Sequence, residues 1–287
     1  MSTGGKNIKR PILITAIVIL CVVFCVSGGI VIFDTVRNVR EDRAFDDLKK
    51  KLGPPAASSE AAGIPDGVGE ANTPADGENA EASAPESPVE NPDAEEDISG
   101  RYDALYAENS DLFGWITVDG TKIDYPVMYT PDDPEYYLHR SFEKKYSSSG
   151  VPFMDGDCYE GCLNYIIFGH HMRNGTMFAA LIDYRNEDFW KEHKTVKFDT
   201  LKVHGEYEII SAFYSQVYHV DETGVFRWYN YTDLTDEAVY NEYIENVKKA
   251  SRYDTGVTAE YGDELLTLST CGKDNIQRFV VVAKKVK

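Results

Sequence analysis

Cys271 ends the stretch TLSTC, after an apolar run and before a Gly. A thiol there can be a packed core cysteine, half of a disulfide, or a nucleophile. Strand alternation puts Leu265, Thr267, Ser269 and Cys271 on one face, and a small polar series ending in a thiol is odd for a core face. Gly272-Lys273-Asp274-Asn275 reads as a turn, so Cys271 stands at a strand mouth that a substrate can reach. A thiol nucleophile needs a partner to handle protons. The chain has six His, of which His139, His193, His204 and His219 stand singly in polar or loop contexts and read as surface or structural. His170 and His171 close the apolar run NYIIFGHH, directly after Gly169, a setting suited to lining a cleft. Arg278 opens RFVVVAKK, a strand apolar on both faces. A guanidinium at the entrance of such a strand suits an anion or a carbonyl, and an ordinary surface Arg is the alternative.

The remaining cysteines have other settings. Cys158 and Cys162 bracket YEG at a hairpin tip and can face each other as a disulfide or stay as two free thiols. Cys21 and Cys25 lie inside an uncharged run. No second Cys or His pair lies near Cys158 and Cys162 with zinc-ligand spacing, and no EF-hand pattern occurs, so neither a metal nor another cofactor is expected. The net charge of -19 argues against a nucleic-acid partner, since phosphates reward Lys and Arg.

The elements that must position these residues are mostly short strands. DLFGWITVDGTKIDYPVMYT holds two runs around Asp119-Gly120, a hairpin signal, and Pro126 marks an edge or a strand start. VPFMD and LNYIIFGHH flank GDCYEG as another hairpin. TVKFDT reads as a strand, and GEYEIISAFYSQVY as a strand pair or one long bent strand. ELLTLSTC and RFVVVAKKV are the two strongest strands. Tyr102 to Ser110 reads as a short helix, and LTDEAVYNEYIENVKKAS as a long one, capped before Leu234, with Val239, Tyr243, Ile244 and Val247 at helical spacing. Many short strands with few helices predict a mainly β fold, a closed or nearly closed barrel.

Composition divides the whole chain. Residues 1–10 precede an uncharged run, Pro11 to Phe33, long enough as a helix (roughly 35 Å) to cross a bilayer core of about 30 Å. It is longer than the apolar part of a cleaved signal and lacks a small-residue cleavage pattern, so a retained transmembrane anchor is expected. Basic residues flank both ends, and charge alone does not orient it. Residues 34–53 continue as a charged juxtamembrane helix up to Gly53-Pro54-Pro55. Residues 54–99 are rich in Ala, Pro, Gly, Ser and acids and without Lys or Arg, a disordered tether with a reach of roughly 35–40 Å. Residues 100–287 form the folded head, with enough Tyr and Phe for a full core.

TLSTC followed by R-φ-V-V-V-A-K resembles the catalytic end of the sortases, and IIFGHHMRNGTMF resembles their histidine segment. GWITVDGTKIDYPV, VPFMD and the helix LTDEAVYNEYIENVKKAS are similar to the class B branch, and the likeness covers nearly all of 100–287 in order. The resemblance implies a sortase-type β-barrel with an N-terminal helix and a long helix inserted between late strands. It implies a cysteine transpeptidase on the outer face of a Gram-positive membrane, N-terminus inside. Such an enzyme cuts a C-terminal sorting signal of a secreted protein and joins the acyl end to an amine of a peptidoglycan precursor or to a pilin lysine. Carried over by motif, Cys271 is the nucleophile, His170 the acid and base, and Arg278 the group that steadies the carbonyl oxygen. Ser269, Thr270 and His171 are expected along the substrate groove. His171 holds a spot the family often fills with Asn, so a shared role for the second imidazole stays open. Asp274 is weighed as an orienter, against the ordinary solvated turn Asp. Hydrolysis of the thioacyl-enzyme and a non-catalytic binding module on a stalk are the alternatives. Class B relatives lean toward signals beginning Asn-Pro rather than Leu-Pro.

Overall fold

The two apolar runs around Asp119-Gly120 form antiparallel strands β1 (Leu112–Thr117) and β2 (Asp124–Met128), in a computed structural model that describes residues 9–53, 97–271 and 277–287. Gly120 turns the chain between them at φ 76°, a left-handed conformation open to glycine. Then come β3 (Phe153–Met154), β4 (Asn164–Gly169), β5 (Thr195–Thr200), β6 (Glu206–Gln216), β7 (Leu265–Cys271) and β8 (Gln277–Lys285). Their spatial order is β1-β2-β3-β4-β7-β8-β6-β5, and β5 pairs back on β1, so the barrel closes. Closure gives every described strand a partner on each side over at least part of its length. Pro126 lies inside β2 rather than at its start, opposite Trp115. It is tolerated because β3 is two residues long and pairs with β2 only at Met128, leaving that side of Pro126 without a ladder. GEYEIISAFYSQ is one strand with an irregularity between Ile209 and Ser211, not a pair.

Three helices dress the barrel. The short α2 (Asp103–Glu108) precedes β1, and α3 (Glu187–Glu192) precedes β5. The long helix is α4 (Glu237–Ala250), between β6 and β7. Its cap is Asp236, which accepts from the backbone N–H groups of Ala238 and Val239, three residues later than expected. It buries Tyr240, Tyr243, Ile244 and Val247, while Val239 faces out. At Thr267, the face of β7 judged odd for a core meets α4. Thr267 Oγ1 lies 2.7 Å from the Tyr243 hydroxyl and donates to Asn164 Oδ1 at 2.8 Å, so its polarity is satisfied inside.

The N-terminal helix α1 runs from Lys9 to Lys49. Phe45 and Leu48 of its last turns are buried against the barrel, with Phe45 edge-on to Tyr125 at 5.0 Å and Lys49 2.8 Å from Asp124. The expected transmembrane span over 11–33 falls within this helix. Among the described residues, no helix is long and apolar enough to cross a membrane. Many side chains of that run, and residues 54–96 of the tether expected over 54–99, lie outside the described residues. Asp97 to Ser99 belong to the head rather than the tether. Asp97 bridges Val203, Ile98 N–H donates to Lys202 O at 2.8 Å, and the Ile98 side chain is buried.

Candidate active site

Sheet register brings the three sequence candidates together. β4 runs parallel to β7 with Phe168 beside Ser269 and Gly169 beside Thr270. β7 runs antiparallel to β8 with Thr270 opposite Phe279 and Cys271 opposite Arg278. His170 is the next residue along from Gly169. One row across three neighbouring strands therefore reads His170, Cys271, Arg278, at a strand spacing of about 4.8 Å. Cys271 is described here through its backbone, and the turn read at 272–275, Asp274 included, lies outside the described residues.

The G-H pair has a local cause. A Cβ on Gly169 would come within 2.6 Å of the Phe178 ring, so only glycine lets Phe178 pack under the end of β4. Phe178 N–H in turn donates to His170 O at 2.9 Å, which fixes the backbone at the imidazole.

His170 is half-buried, and its Nε2 lies 2.8 Å from Leu138 O. A carbonyl only accepts, so Nε2 carries the proton and the neutral ring keeps its lone pair on Nδ1. Burial pushes the His170 pKa below the ordinary value, the Leu138 carbonyl works the other way, and the neighbouring His139 adds to the lowering. The His139 ring stacks on His170 with centroids 5.4 Å apart and planes at 25°. Both Leu138 and His139 come from the one-turn helix Tyr136–His139. The resting imidazole is therefore neutral at neutral pH, with one nitrogen committed and one available.

These residues stand on a groove of about 610 Å³, whose lining includes Leu138, His139, Phe168, His170, Trp228, Ser269, Thr270 and Arg278. Ser269 and Thr270 are 1% and 2% exposed, and neither hydroxyl has a hydrogen-bond partner among the described residues. The Trp228 indole N–H, also buried, has none either. Buried polar groups left open on one groove are suited to the N–H and C=O groups of an extended peptide. Sequence reasoning missed Leu138, His139 and Trp228. His139 looked like a lone loop histidine, and nothing local in YYLH reveals that this turn folds onto β4. His171 lies elsewhere. It is exposed and lines a separate cavity of about 460 Å³ with Lys122, Arg173 and Arg185. Among the described residues, no group of three or more His, Cys, Asp and Glu is arranged to hold a metal ion.

The family model described as the sortase domain matches residues 116–286, which hold the barrel and this row. The chain belongs to the sortase family. This sortase is 31% identical over 198 residues to sortase B of Staphylococcus aureus, covering 67% of this chain and 78% of that protein. It is 33% identical over 165 residues to sortase B of Listeria monocytogenes, covering 57% of this chain and 63% of that one. Among solved structures it resembles a Staphylococcus aureus sortase B–substrate complex, with a TM-score of 0.58 and 30% identity over 65% of this chain and 85% of that one. The sortase is thus of the class B type, and a cysteine transpeptidase as that family is.

Proposed function

We propose that this sortase is anchored at the membrane and cuts a C-terminal sorting signal of secreted proteins. It forms a thioacyl-enzyme at Cys271 and passes the acyl group to an amine of a peptidoglycan precursor. The observation that carries the reading is the row His170, Cys271, Arg278 at the end of a groove with open polar groups. The uncharged run of residues 11–33 is what supports anchorage, with the head outside the cell. A bound substrate in the similar Staphylococcus aureus structure supports a peptide in the groove.

In this reading the Cys271 thiolate attacks the scissile carbonyl carbon, and Arg278 holds the oxygen as it gains charge. His170, protonated at Nδ1, gives that proton to the departing amine as the C–N bond breaks, leaving a thioester. The incoming amine then attacks the thioester and loses a proton to the same nitrogen. The new amide leaves and the thiolate returns. Because the neutral imidazole dominates, only a minor fraction of enzyme holds thiolate and imidazolium together, and that fraction carries the reaction.

The test is to incubate the enzyme with peptides beginning Asn-Pro or Leu-Pro, with and without amines, and weigh the products. A ligated product with a wall-type amine, absent in Cys271→Ala, is the expected result. Ligation only to a pilin lysine would reassign the acceptor. Hydrolysis alone with every amine offered would make the enzyme a peptidase.

A further inference from the structure

The loop between β3 and β4 holds two cysteines that the mechanism does not use. Cys158 and Cys162 are buried free thiols, each 1% exposed. Both sulfurs point at one acceptor, Asn164 O, at 3.5 Å from Cys158 Sγ and 3.4 Å from Cys162 Sγ. Sharing that one carbonyl brings the two side chains together across the turn. Two successive turns build this approach, Cys158 N–H onto Asp155 O and Cys162 N–H onto Tyr159 O. Neither cysteine lines the groove, and the tip between them, Tyr159 to Gly161, is exposed.

We propose that Cys158 and Cys162 are an oxidative modification site, closing to an intramolecular disulfide by exchange with an organic disulfide. The geometry supplies proximity on a short loop, which disulfides require. It also makes the two thiols unequal. The Cys158 thiol beside it holds the Cys162 thiol below its ordinary pKa, while the Cys162 neighbour and burial push Cys158 up. Cys162 is therefore the attacking thiolate and Cys158 the resolving one.

The Cys162 thiolate attacks one sulfur of the reagent R–S–S–R and expels RS⁻, leaving Cys162–S–S–R. The Cys158 thiol gives its proton to RS⁻ or water and attacks the Cys162 sulfur, expelling the second RS⁻, which takes up a proton. Two thiols are oxidised, and one reagent disulfide is reduced to two thiols. With 1% of either residue exposed, exchange proceeds through opening of the exposed tip or before the loop has packed. Once formed, the bridge fastens the β3–β4 connection, which carries Asp155 to the groove at one end and leads through β4 to His170 at the other.

The experiment uses the full-length chain in detergent, as Cys271→Ala so that the catalytic thiol does not compete. The protein is exposed to oxidised glutathione, denatured, treated with N-ethylmaleimide and mapped by mass spectrometry without reduction. The peptide holding both cysteines is expected two hydrogen masses lighter and unlabelled, and doubly labelled after reduction. In Cys158→Ser, a glutathione adduct is expected to persist on Cys162. The oxidised form is expected to melt about 5 °C above the reduced one. Two labels after oxidation, or a bridge to another cysteine, would overturn the proposal. An adduct that persists on Cys162 in the parent protein would overturn it too. Should Cys158→Ser fail to fold, the parent's peptide map decides alone.

Discussion

His170 is bound from one side and discharged from the other. Its Nε2 proton is committed to Leu138 O, while burial and His139 oppose a positive charge. A histidine whose folded pKa lies below its unfolded value takes up its proton first in the unfolded chain. Its contribution to stability is complete above about pH 6.5 and is lost as the pH falls through that region. Urea melts of wild type and His170→Gln between about pH 7.5 and 5 should therefore diverge, the variant losing less stability on acidification. Equal slopes would place the imidazole in solvent. For catalysis, His139→Gln removes the stacked ring that opposes a charge on His170 and should move the acidic limb of the kcat/KM profile upward. In the proposed mechanism, a developing oxyanion uses the planar fork of Arg278. Arg278→Lys is expected to lower kcat about 100-fold with KM little changed, read with a fluorescent sorting-signal peptide.

At the scale of elements, the site is a consequence of register. The parallel pairing of β4 with β7 joins residues a hundred positions apart, and only that pairing sets His170 next to Cys271. The strands themselves were legible, because RFVVVAKK and NYIIFG are apolar runs bounded by turn residues. So was the closed barrel. The short turn Tyr136–His139 was not, since its role comes from what it lands on rather than from its own pattern. The cap of α4 was misplaced because LTDEAV offers several acidic residues and Thr in sequence, and only the structure shows Asp236 accepting two N–H groups. The polar face of β7 misled for a related reason. Thr267 read as odd for a core and is held inside by Tyr243 and Asn164 beneath α4. Tyr243→Phe keeps the ring and removes one buried hydrogen bond, so it should cost about 1 kcal/mol, a fall in melting temperature of roughly 2–4 °C. Because Thr267 still donates to Asn164, β7 keeps its place and kcat/KM should stay at the wild-type level.

At the scale of the whole molecule, the question is what holds the head relative to the N-terminal helix. Composition suggested a long acidic spacer between them. The described residues on either side of that segment lie close together. Gly53 N–H donates to Arg101 O at 2.9 Å, so the chain leaves the barrel and returns to it at one point. Lys49 meets Asp124, Leu48 is 3% exposed, and Phe45 packs on Tyr125. Tyr125 in turn accepts from Met177 N–H, in the loop that follows His170. The helix thus touches a chain of contacts that ends near the His170 row. Two variants separate the roles. Replacing residues 54–96 by a short Gly/Ser bridge should leave melting temperature and kcat/KM unchanged, because Gly53 and Arg101 already meet. Leu48→Asp puts a charge into the seam between helix and barrel and should cost about 3 kcal/mol. If the segment were the spacer, the outcomes would reverse. Deletion would impair action on a membrane-borne acceptor, and Leu48→Asp would be silent in both the melt and the assay.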